Sequence, residues 1–190
     1  MDPLWTPPTI ETDRLVLRPV TEADADAVFA ACSNPNLTRF TLFETHKTRN
    51  DSLDFVRDYV ASSYAQKAPD PLAITLKGDT DPRMIGAIGC RWVPAAGPIL
   101  ELGYWIAEHL WGRGIATEAT TAVLRYVFAT FPFVERGQSR VIVGNPASAR
   151  VLEKAGFQYE GTLRSAAYRR EREQFHDLMM FALLQSEWGG

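Results

Sequence analysis

A tight loop, Gly112-Arg113-Gly114-Ile115-Ala116-Thr117, is the segment whose residues most clearly suggest chemistry. It follows an apolar run, Leu100 to Ala107, that predicts a buried strand, and it precedes apolar residues spaced three and four apart, as on a helix. A helix that begins at such a loop directs unpaired backbone N–H groups, and the positive end of its dipole, at a ligand. Glycines let an anion approach that backbone closely. The segment therefore predicts a site for a phosphate-bearing ligand at residues 112–117.

Two common phosphate loops do not fit this segment. The kinase-type loop G-x-x-x-x-G-K-S/T is absent. A dinucleotide loop, G-x-G-x-x-G, needs a third glycine, where this chain has Thr117, and an acid that ends the next strand. Glu135 precedes the next predicted strand, Arg140 to Val143, and that strand is followed by Gly144-Asn145. Neither a kinase-type nor a dinucleotide site is predicted.

The loop resembles motif A of the GNAT N-acetyltransferases, Q/R-x-x-G-x-G/A, which here reads Trp111-Gly112-Arg113-Gly114-Ile115-Ala116. Trp111 departs from the general pattern, but the run WGRGIATEA is similar to the branch of ribosomal-protein N-terminal (alanine) acetyltransferases. The segment Asn145 to Phe157 resembles the N-x-x-S-x-x-x-x-E-K-x-G-F segment of that branch, and Glu11 to Arg18 resembles its opening strand. Three matches in the right order cover nearly the whole chain.

The resemblance implies that acetyl-CoA is the co-substrate. It also implies which residues bind it: Trp105, Ile106, Trp111, Gly112, Arg113, Gly114, Ile115, Ala116, Thr117, Asn145, Ser148, Arg150 and Lys154. The loop and Arg113 would hold the pyrophosphate, and the strand end at Trp105 and Ile106 would pair its backbone with the pantetheine arm, as Asn145 would with its amide. Arg150 and Lys154, one helical turn apart, face either the phosphates or solvent.

Acyl transfer to an amine also needs a proton acceptor and a donor to the leaving thiolate. Ser148 is the candidate donor, with a plain helix cap as the alternative; the tyrosine that many relatives carry further along this helix is absent from Val151-Leu152-Glu153-Lys154. Glu101 is the candidate base, and its alternatives are a structural partner for an arginine or a contact that orients the substrate. Glu118 is the other nearby carboxylate, and its place in the first helical turn equally suits the helix dipole.

The acceptor is predicted to be a primary amine that takes the acetyl group directly in a ternary complex. It would enter across residues 34–47 and the loop before Phe175. An α-amine has a pKa near 8, whereas a lysine amine has a pKa near 10.4. A site with a single candidate carboxylate would deprotonate the α-amine more easily, which favours a protein or peptide N-terminus as the acceptor. The alternatives are a small-molecule amine, such as an antibiotic or polyamine, and a non-catalytic acyl-CoA-binding protein.

The elements around these residues predict an α/β (α+β) chain, 1–190, with one N-acetyltransferase domain. Periodicity and turn residues give the order β α α β β β α β α β β, which fits the GNAT fold. That fold is a mixed, twisted sheet, here of about six to seven strands, with helices on both faces and its two central strands splayed apart. The resemblance implies that acetyl-CoA enters this gap. The charged run Arg169 to Glu173 is predicted to be a solvated loop, with a contact to a polyanion or acidic acceptor as the alternative.

Composition narrows the remaining possibilities. A net charge of −3 gives no sign of a nucleic-acid surface, and no apolar run approaches membrane-spanning length. Cys32 and Cys90 lack paired spacing, which favours reduced thiols, and the three histidines lack ligand spacing, so no metal is expected. The start, MDPLWTPPT, lacks the features of a secretion signal. We therefore expect a cytoplasmic protein, either a monomer or a homodimer.

Overall fold

The computed structural model describes residues 5–93 and 97–189. Its sheet has eight strands in the order β1-β2-β3-β4-β5-β6-β8-β7. The strands are β1 (Ile10–Glu11), β2 (Leu15–Pro19), β3 (Leu72–Leu76), β4 (Gly86–Trp92), β5 (Ile99–Ile106), β6 (Arg136–Ile142), β7 (Gln158–Arg169) and β8 (Gln174–Leu184). β5 and β6 are parallel and every other pair is antiparallel. The predicted mixed sheet is confirmed, with a slightly higher strand count because β1 is too short to show alternation.

The helices lie between these strands. They are α1 (Ala25–Cys32), α2 (Pro35–Thr38), α3 (Arg49–Asp54), α4 (Ala61–Ala65), α5 (Ile115–Thr130) and α6 (Pro146–Lys154), and a π-helical stretch, Phe55–Val60, joins α3 to α4. Sequence signals explain two of the starts: a capping box of Thr48 and Asp51 precedes α3, and Gly114 in the left-handed conformation precedes α5. The predicted long helix after the glycine loop is confirmed.

The two central strands are paired over only part of their length. β5 pairs with β6 from Ile99 to Glu101, against Arg136 to Gln138, while β5 continues to Ile106. Beyond this point the hydroxyl of Ser139 donates to the Leu102 carbonyl oxygen at 3.0 Å. The strands therefore separate at Leu102 and leave an open edge on β5, which is the gap that the sequence predicted.

β6 is longer than predicted, since it begins at Arg136 instead of Arg140. Its first residues are mostly polar or small, so little in the sequence indicates that the strand begins before Arg140. Arg136 pairs with Glu160 and Arg140 pairs with Glu101, so these side chains are held by ion pairs on the sheet surface.

Two apolar cores sandwich the sheet. α5 and α6 pack on one face through residues that include Ile115, Ala119, Val123 and Leu152. On the other face α1 and the helix 49–65 pack through Val28, Val56 and Val60, against Trp105 of β5 among others. Helices on both faces leave the splayed edge of β5 between them, and this is where the site lies.

One predicted loop is wrong in part. Arg169 is only 2% exposed, forms an ion pair with Glu171, and donates to the carbonyl oxygens of Thr38 and Thr41. The tip of the β7–β8 hairpin is thus tied to the segment after α2, while Arg170 and Arg172 are exposed as predicted. The prolines at 94 and 98 predict a turn before β5, and part of this segment lies outside the described residues.

Candidate active site

The glycine loop has the geometry of an anion site. Gly112 and Gly114 have φ angles of +75° and +76°, which L side chains rarely adopt, and α5 begins at Ile115. A Cβ atom built on Gly112 would meet nothing within 4 Å. The N–H groups of the first helical turn have no partner within the helix. The loop therefore presents free donors and open space to a phosphate group.

The loop is braced from the N-terminal strand region. The guanidinium of Arg14 donates to the Arg113 carbonyl oxygen at 3.1 Å and to Glu118 at 2.7 Å, and the hydroxyl of Thr12 also donates to Glu118, at 2.6 Å. Burial by itself raises the pKa of Glu118, but these donors outweigh it and hold that pKa below its ordinary value. Glu118 thus fixes the loop, which leaves it poorly suited to accept a proton.

Trp111, which departs from the family pattern, has a structural role in joining the loop to β5. Its indole N–H donates to the Ile106 carbonyl oxygen at 2.7 Å, which links the loop to the end of β5. Trp111 is 50% exposed, so its ring also forms part of the cleft wall. Ile106 is one of the two residues expected to pair with pantetheine, and its carbonyl oxygen already accepts a hydrogen bond from this indole.

Strand alternation decides which backbone groups face the gap. The carbonyl oxygens of Leu102 and Ile106 both point away from β4, whereas Ala107 donates to Ile85 on the β4 side. Backbone groups alternate along a strand, so those of Tyr104 lie on the open edge and those of Trp105 lie toward β4. The side chain of Trp105 is buried in the second core. Tyr104 and the N–H of Ile106, rather than Trp105, are the backbone groups at the gap.

Asn145 and Ser148 lie at the start of α6, opposite this edge. Asn145 is the residue that caps the helix, because its Oδ1 accepts from the Ser148 N–H at 3.2 Å. Ser148 is therefore free of the capping role that was its structural alternative. The Ser148 hydroxyl lies 2.8 Å from the hydroxyl of Tyr104, which also donates to the Ser148 carbonyl oxygen at 3.1 Å.

Tyr104 was not predicted as a site residue. Burial raises its pKa to about 12, so the phenol is neutral and can donate a hydrogen bond at physiological pH. The sequence carried one signal for it, a polar tip between Leu102 and Ile106 on a face that is otherwise apolar. Its hydroxyl couples β5 to α6 across the mouth of the gap.

Three of the cations that line the same cleft belong to the glycine loop and α6: Arg113, Arg150 and Lys154. Within the ranges 5–93 and 97–189, none of them has a carboxylate within salt-bridge distance. Unpaired cations beside a glycine loop favour a polyanionic ligand. The cleft has a volume of about 1050 Å³, and it continues through the gap to the opposite face of the sheet, where Gly103 and Asp70 line it.

Glu101 lies on that opposite face, held by two arginines. Its Oε1 accepts from Arg91 at 2.6 Å and from Arg140 at 2.7 Å, and Gln138 donates to its Oε2 at 3.3 Å. Burial alone raises the pKa of Glu101, but the hydrogen bonds and charges of Arg140 and Arg91 outweigh it and hold the pKa below its ordinary value. A carboxylate with a lowered pKa binds a proton weakly, so the geometry favours the arginine-partner alternative over the general base.

We expect Glu101→Gln to lower stability more than catalysis. The side chain of Glu101 is 10% exposed, but those of its partners are 45% and 27% exposed. Solvent screening therefore reduces the cost of breaking the pairs to about 1–2 kcal/mol, or ~2–8 °C in Tm. The folded-state pKa is lowered, so this stabilisation is present above the ordinary value of 4.5 and is lost as the pH falls through the folded-state pKa.

Thermal melts from pH 3 to 8 should show the difference from wild type at neutral pH and its disappearance in acid. Glu153→Gln, at an exposed position on α6, is the control and should leave the Tm unchanged. An unchanged Tm with a loss of kcat of about 10²-fold that recovers as the pH rises would identify Glu101 as the base instead.

Comparison with known proteins agrees with this site. Residues 14–158 match the family model described as "Acetyltransferase (GNAT) domain". The chain belongs to the GNAT acetyltransferase family. The predicted enzyme class, an acetyl-CoA-dependent N-acetyltransferase, is confirmed by this membership, which spans the loop, the gap and α6.

Relatives and a solved structure match between 73% and 93% of the chain. The chain is 34% identical over 161 residues to the uncharacterised N-acetyltransferase YoaA of Bacillus subtilis, covering 85% of this chain and 89% of that one. It is 30% identical over 139 residues to the putative ribosomal N-acetyltransferase YdaF of the same species, covering 73% and 74%. The structure of RimL, a ribosomal L7/L12 α-N-protein acetyltransferase in complex with coenzyme A, has a TM-score of 0.79 at 19% identity, covering 93% and 98%.

Two features of the described residues concern membranes and metals. No helix in the described ranges is both long and apolar enough to span a membrane. The part of the chain that the structure describes holds no group of three or more histidine, cysteine or acidic residues arranged for a metal ion. Cys32 and Cys90 are both buried free thiols.

Proposed function

We propose that this enzyme transfers the acetyl group of acetyl-CoA to the α-amine at the N-terminus of a protein or peptide. The observation that carries the proposal is the single cleft that joins the glycine loop, through the gap beside β5, to an open space over Gly103. A donor on the loop side and an amine on the other side would meet at the gap. Such an arrangement supports direct transfer in a ternary complex.

The donor would be held in two parts. The N–H groups of residues 112–117 and the charge of Arg113 would bind the pyrophosphate, and Arg150 and Lys154 lie on the same cleft to meet further phosphate charge. The open backbone edge at Tyr104 and Ile106 would pair with the amides of the pantetheine arm, as a neighbouring strand would. This placement leads the thioester toward Ser148.

The residues at the gap support the chemistry of thioester cleavage. When the amine nitrogen bonds to the carbonyl carbon and the carbon–sulfur bond breaks, the sulfur leaves as a thiolate that needs a proton or a hydrogen bond. The Ser148 hydroxyl supplies it and takes up the proton that the attacking nitrogen loses, while Tyr104, 2.8 Å away, holds this hydroxyl in place. The pair thus substitutes for the tyrosine that is absent further along α6.

The choice of an α-amine rests on chemistry and on relatives. At neutral pH an α-amine of pKa near 8 is far more often neutral than a lysine amine of pKa near 10.4. YdaF and RimL carry names that refer to ribosomal substrates, and RimL is described as an α-N-protein acetyltransferase. Both points favour a protein N-terminus over a lysine side chain.

An amine panel tests the proposal directly. Peptides that begin with Ala or Ser, the same peptides blocked at the N-terminus but carrying one lysine, spermidine and an aminoglycoside would be compared for release of the coenzyme A thiol. We expect kcat/KM at pH 7 to be about 10²-fold higher for the free N-termini than for the lysine amine, from the difference in neutral fraction. Mass spectrometry should locate the acetyl group on the terminal nitrogen.

Each other outcome contradicts the proposal in a different way. Preferred turnover of spermidine or the aminoglycoside would make this a small-molecule acetyltransferase. Tight binding of acetyl-CoA without transfer to any amine would make it an acyl-CoA-binding protein.

A further inference from the structure

Two neighbouring glycines shape the sheet face opposite the glycine loop. Gly89 on β4 is paired with Gly103 on β5. A Cβ atom on Gly89 would lie 2.5 Å from the Cα atom of Asp70, so the chain at Asp70 occupies the space that Gly89 leaves. A Cβ atom on Gly103 would meet nothing within 4 Å. One glycine thus lets Asp70 approach the sheet, and the other leaves a vacant space in the cleft.

Asp70 is a buried carboxyl group with few stabilising interactions. It is 8% exposed, yet it lines the cleft. In the described part of the chain its only hydrogen-bond donor is the hydroxyl of Tyr59, at 2.5 Å from Oδ2. The nearby guanidinium of Arg91 is bonded to Glu101 instead. Burying a carboxylate with one hydrogen bond and no ion pair is costly, which favours a role in function over a role in stability.

We propose that Asp70 accepts the proton of the acceptor ammonium group, with Tyr59 as the residue that positions its carboxylate and the vacant space over Gly103 as the seat of the amine. This proposal rests on the proposed N-acetyltransferase function and names its base. Sequence inspection alone missed Asp70, because it lies in Pro69-Asp70-Pro71, a segment typical of a turn.

The step balances as follows. The ammonium gives one proton to Asp70 and becomes a neutral amine, and the carboxylate becomes a carboxylic acid. The amine nitrogen then bonds to the thioester carbonyl carbon and the carbon–sulfur bond breaks. The second proton of the nitrogen passes to the sulfur through Ser148, and Asp70 releases its proton to solvent after the amide and coenzyme A leave.

Electrostatics distinguish Asp70 from the other carboxylates at the site. Burial raises the pKa of Asp70 above its ordinary value, although the Tyr59 hydrogen bond and the charge of Arg91 oppose the shift. The groups that face it from the surrounding elements are Tyr59, Tyr64, Cys90, Arg91 and Glu101. The pKa values of Glu101 and Glu118 are lowered instead, so of these three carboxylates only Asp70 has a proton affinity that its surroundings increase.

Asp70→Asn tests the assignment. The shape is kept and the proton acceptor is lost, so we expect kcat/KM for an Ala-initiated peptide at pH 7 to fall about 10²-fold or more, with acetyl-CoA affinity by calorimetry unchanged. The variant needs an amine that is already neutral, so its rate should keep rising up to the amine pKa near 8. The wild-type rate should level off at lower pH.

Stability provides a readout that a structural role would not give. The folded-state pKa of Asp70 is raised, so its ionised form disfavours the fold, and this cost is present once the pH exceeds that pKa. Asp70→Asn should therefore melt at the same temperature as wild type or higher at pH 8. Asp58→Asn, at the exposed position next to Tyr59, is the matched control and should change neither rate nor Tm.

Tyr59→Phe provides an independent test that keeps the carboxylate. The Tyr59 hydrogen bond lowers the pKa of Asp70, so its removal should move the acidic limb of the pH–rate profile upward and reduce kcat at pH 6 more than at pH 8. If wild type acetylates the peptide and both Asp70→Asn and Tyr59→Phe keep its rate and profile, the assignment of Asp70 is overturned while the proposed function stands. If wild type acetylates no amine, the proposed function fails first.

Discussion

Gly112→Asp is expected to reduce acetyl-CoA affinity at least tenfold. The backbone at Gly112 has a φ of +75°, and a Cβ atom there would point into open space at the loop. A carboxylate in that space would face the pyrophosphate. Two like charges about 4 Å apart repel by ~1 to 4 kcal/mol between bulk water and a protein surface, so a tenfold loss is near the lower limit.

The matched control is Gly112→Asn. Asparagine and aspartate have nearly the same size, and both tolerate the left-handed region better than other L residues, so backbone strain affects both variants alike. The difference in affinity between them, measured by calorimetry with acetyl-CoA at low and at 0.5 M salt, isolates the charge, and it should shrink as salt screens it. Equal affinities for the two variants would show that the loop does not bind the pyrophosphate.

The sequence predicts an element correctly where neighbouring residues alone determine its position. The helix after the glycine loop begins at Ile115, where the spacing of its apolar residues and the preceding glycine both place it. The predicted start of β6 was four residues too late, because the charge of Arg136 reads as loop until Glu160 is seen to pair with it. Alternation alone does not reveal partners that lie in distant parts of the chain.

The same limit applied to the site. The glycine loop and the segment at Asn145 are contiguous motifs, and the structure brings them to one cleft. The sequence carried one weak signal for Tyr104, and its contact with Ser148, which lies 44 positions away, identifies it as a site residue. Asp70 and Tyr59 come from segments with no motif, and the vacant space that Gly103 leaves in the cleft is a property of packing.

Glu101 shows how a correct position can carry an uncertain role. The sequence placed a carboxylate on the central strand beside the loop and left open whether it acts as base or as partner of an arginine. Strand register places Arg91 directly across from Glu101, and Arg140 reaches it from the neighbouring strand. The arginine charges that stabilise the buried Glu101 also lower its pKa and so weaken it as a base. Position on the central strand therefore identifies Glu101 as the candidate base, whereas proton affinity favours Asp70.

Gly103→Leu is expected to reduce kcat/KM for acetyl transfer about 10²-fold or more, since a reacting group misplaced by 1 Å can lower the rate by such a factor. The affinity for acetyl-CoA should stay within about threefold of wild type. Gly103 lies in the middle of β5 with a φ outside the left-handed region, so a side chain is compatible with its backbone. Because nothing lies within 4 Å of the Cβ position, the leucine should fill the vacant space of the cleft without displacing the core.

Gly103→Ala is the graded control, since one methyl group should reduce transfer much less than leucine and leave the Tm unchanged. Steady-state kinetics with the Ala-initiated peptide, together with calorimetry for acetyl-CoA, separates the two substrates. Because Gly103 faces the Asp70 side of the sheet, the loss should fall on the acceptor. If Gly103→Leu transfers acetyl as wild type does, the amine binds elsewhere. If acetyl-CoA affinity falls along with the rate, the space over Gly103 belongs to the donor and the acceptor must approach from another side.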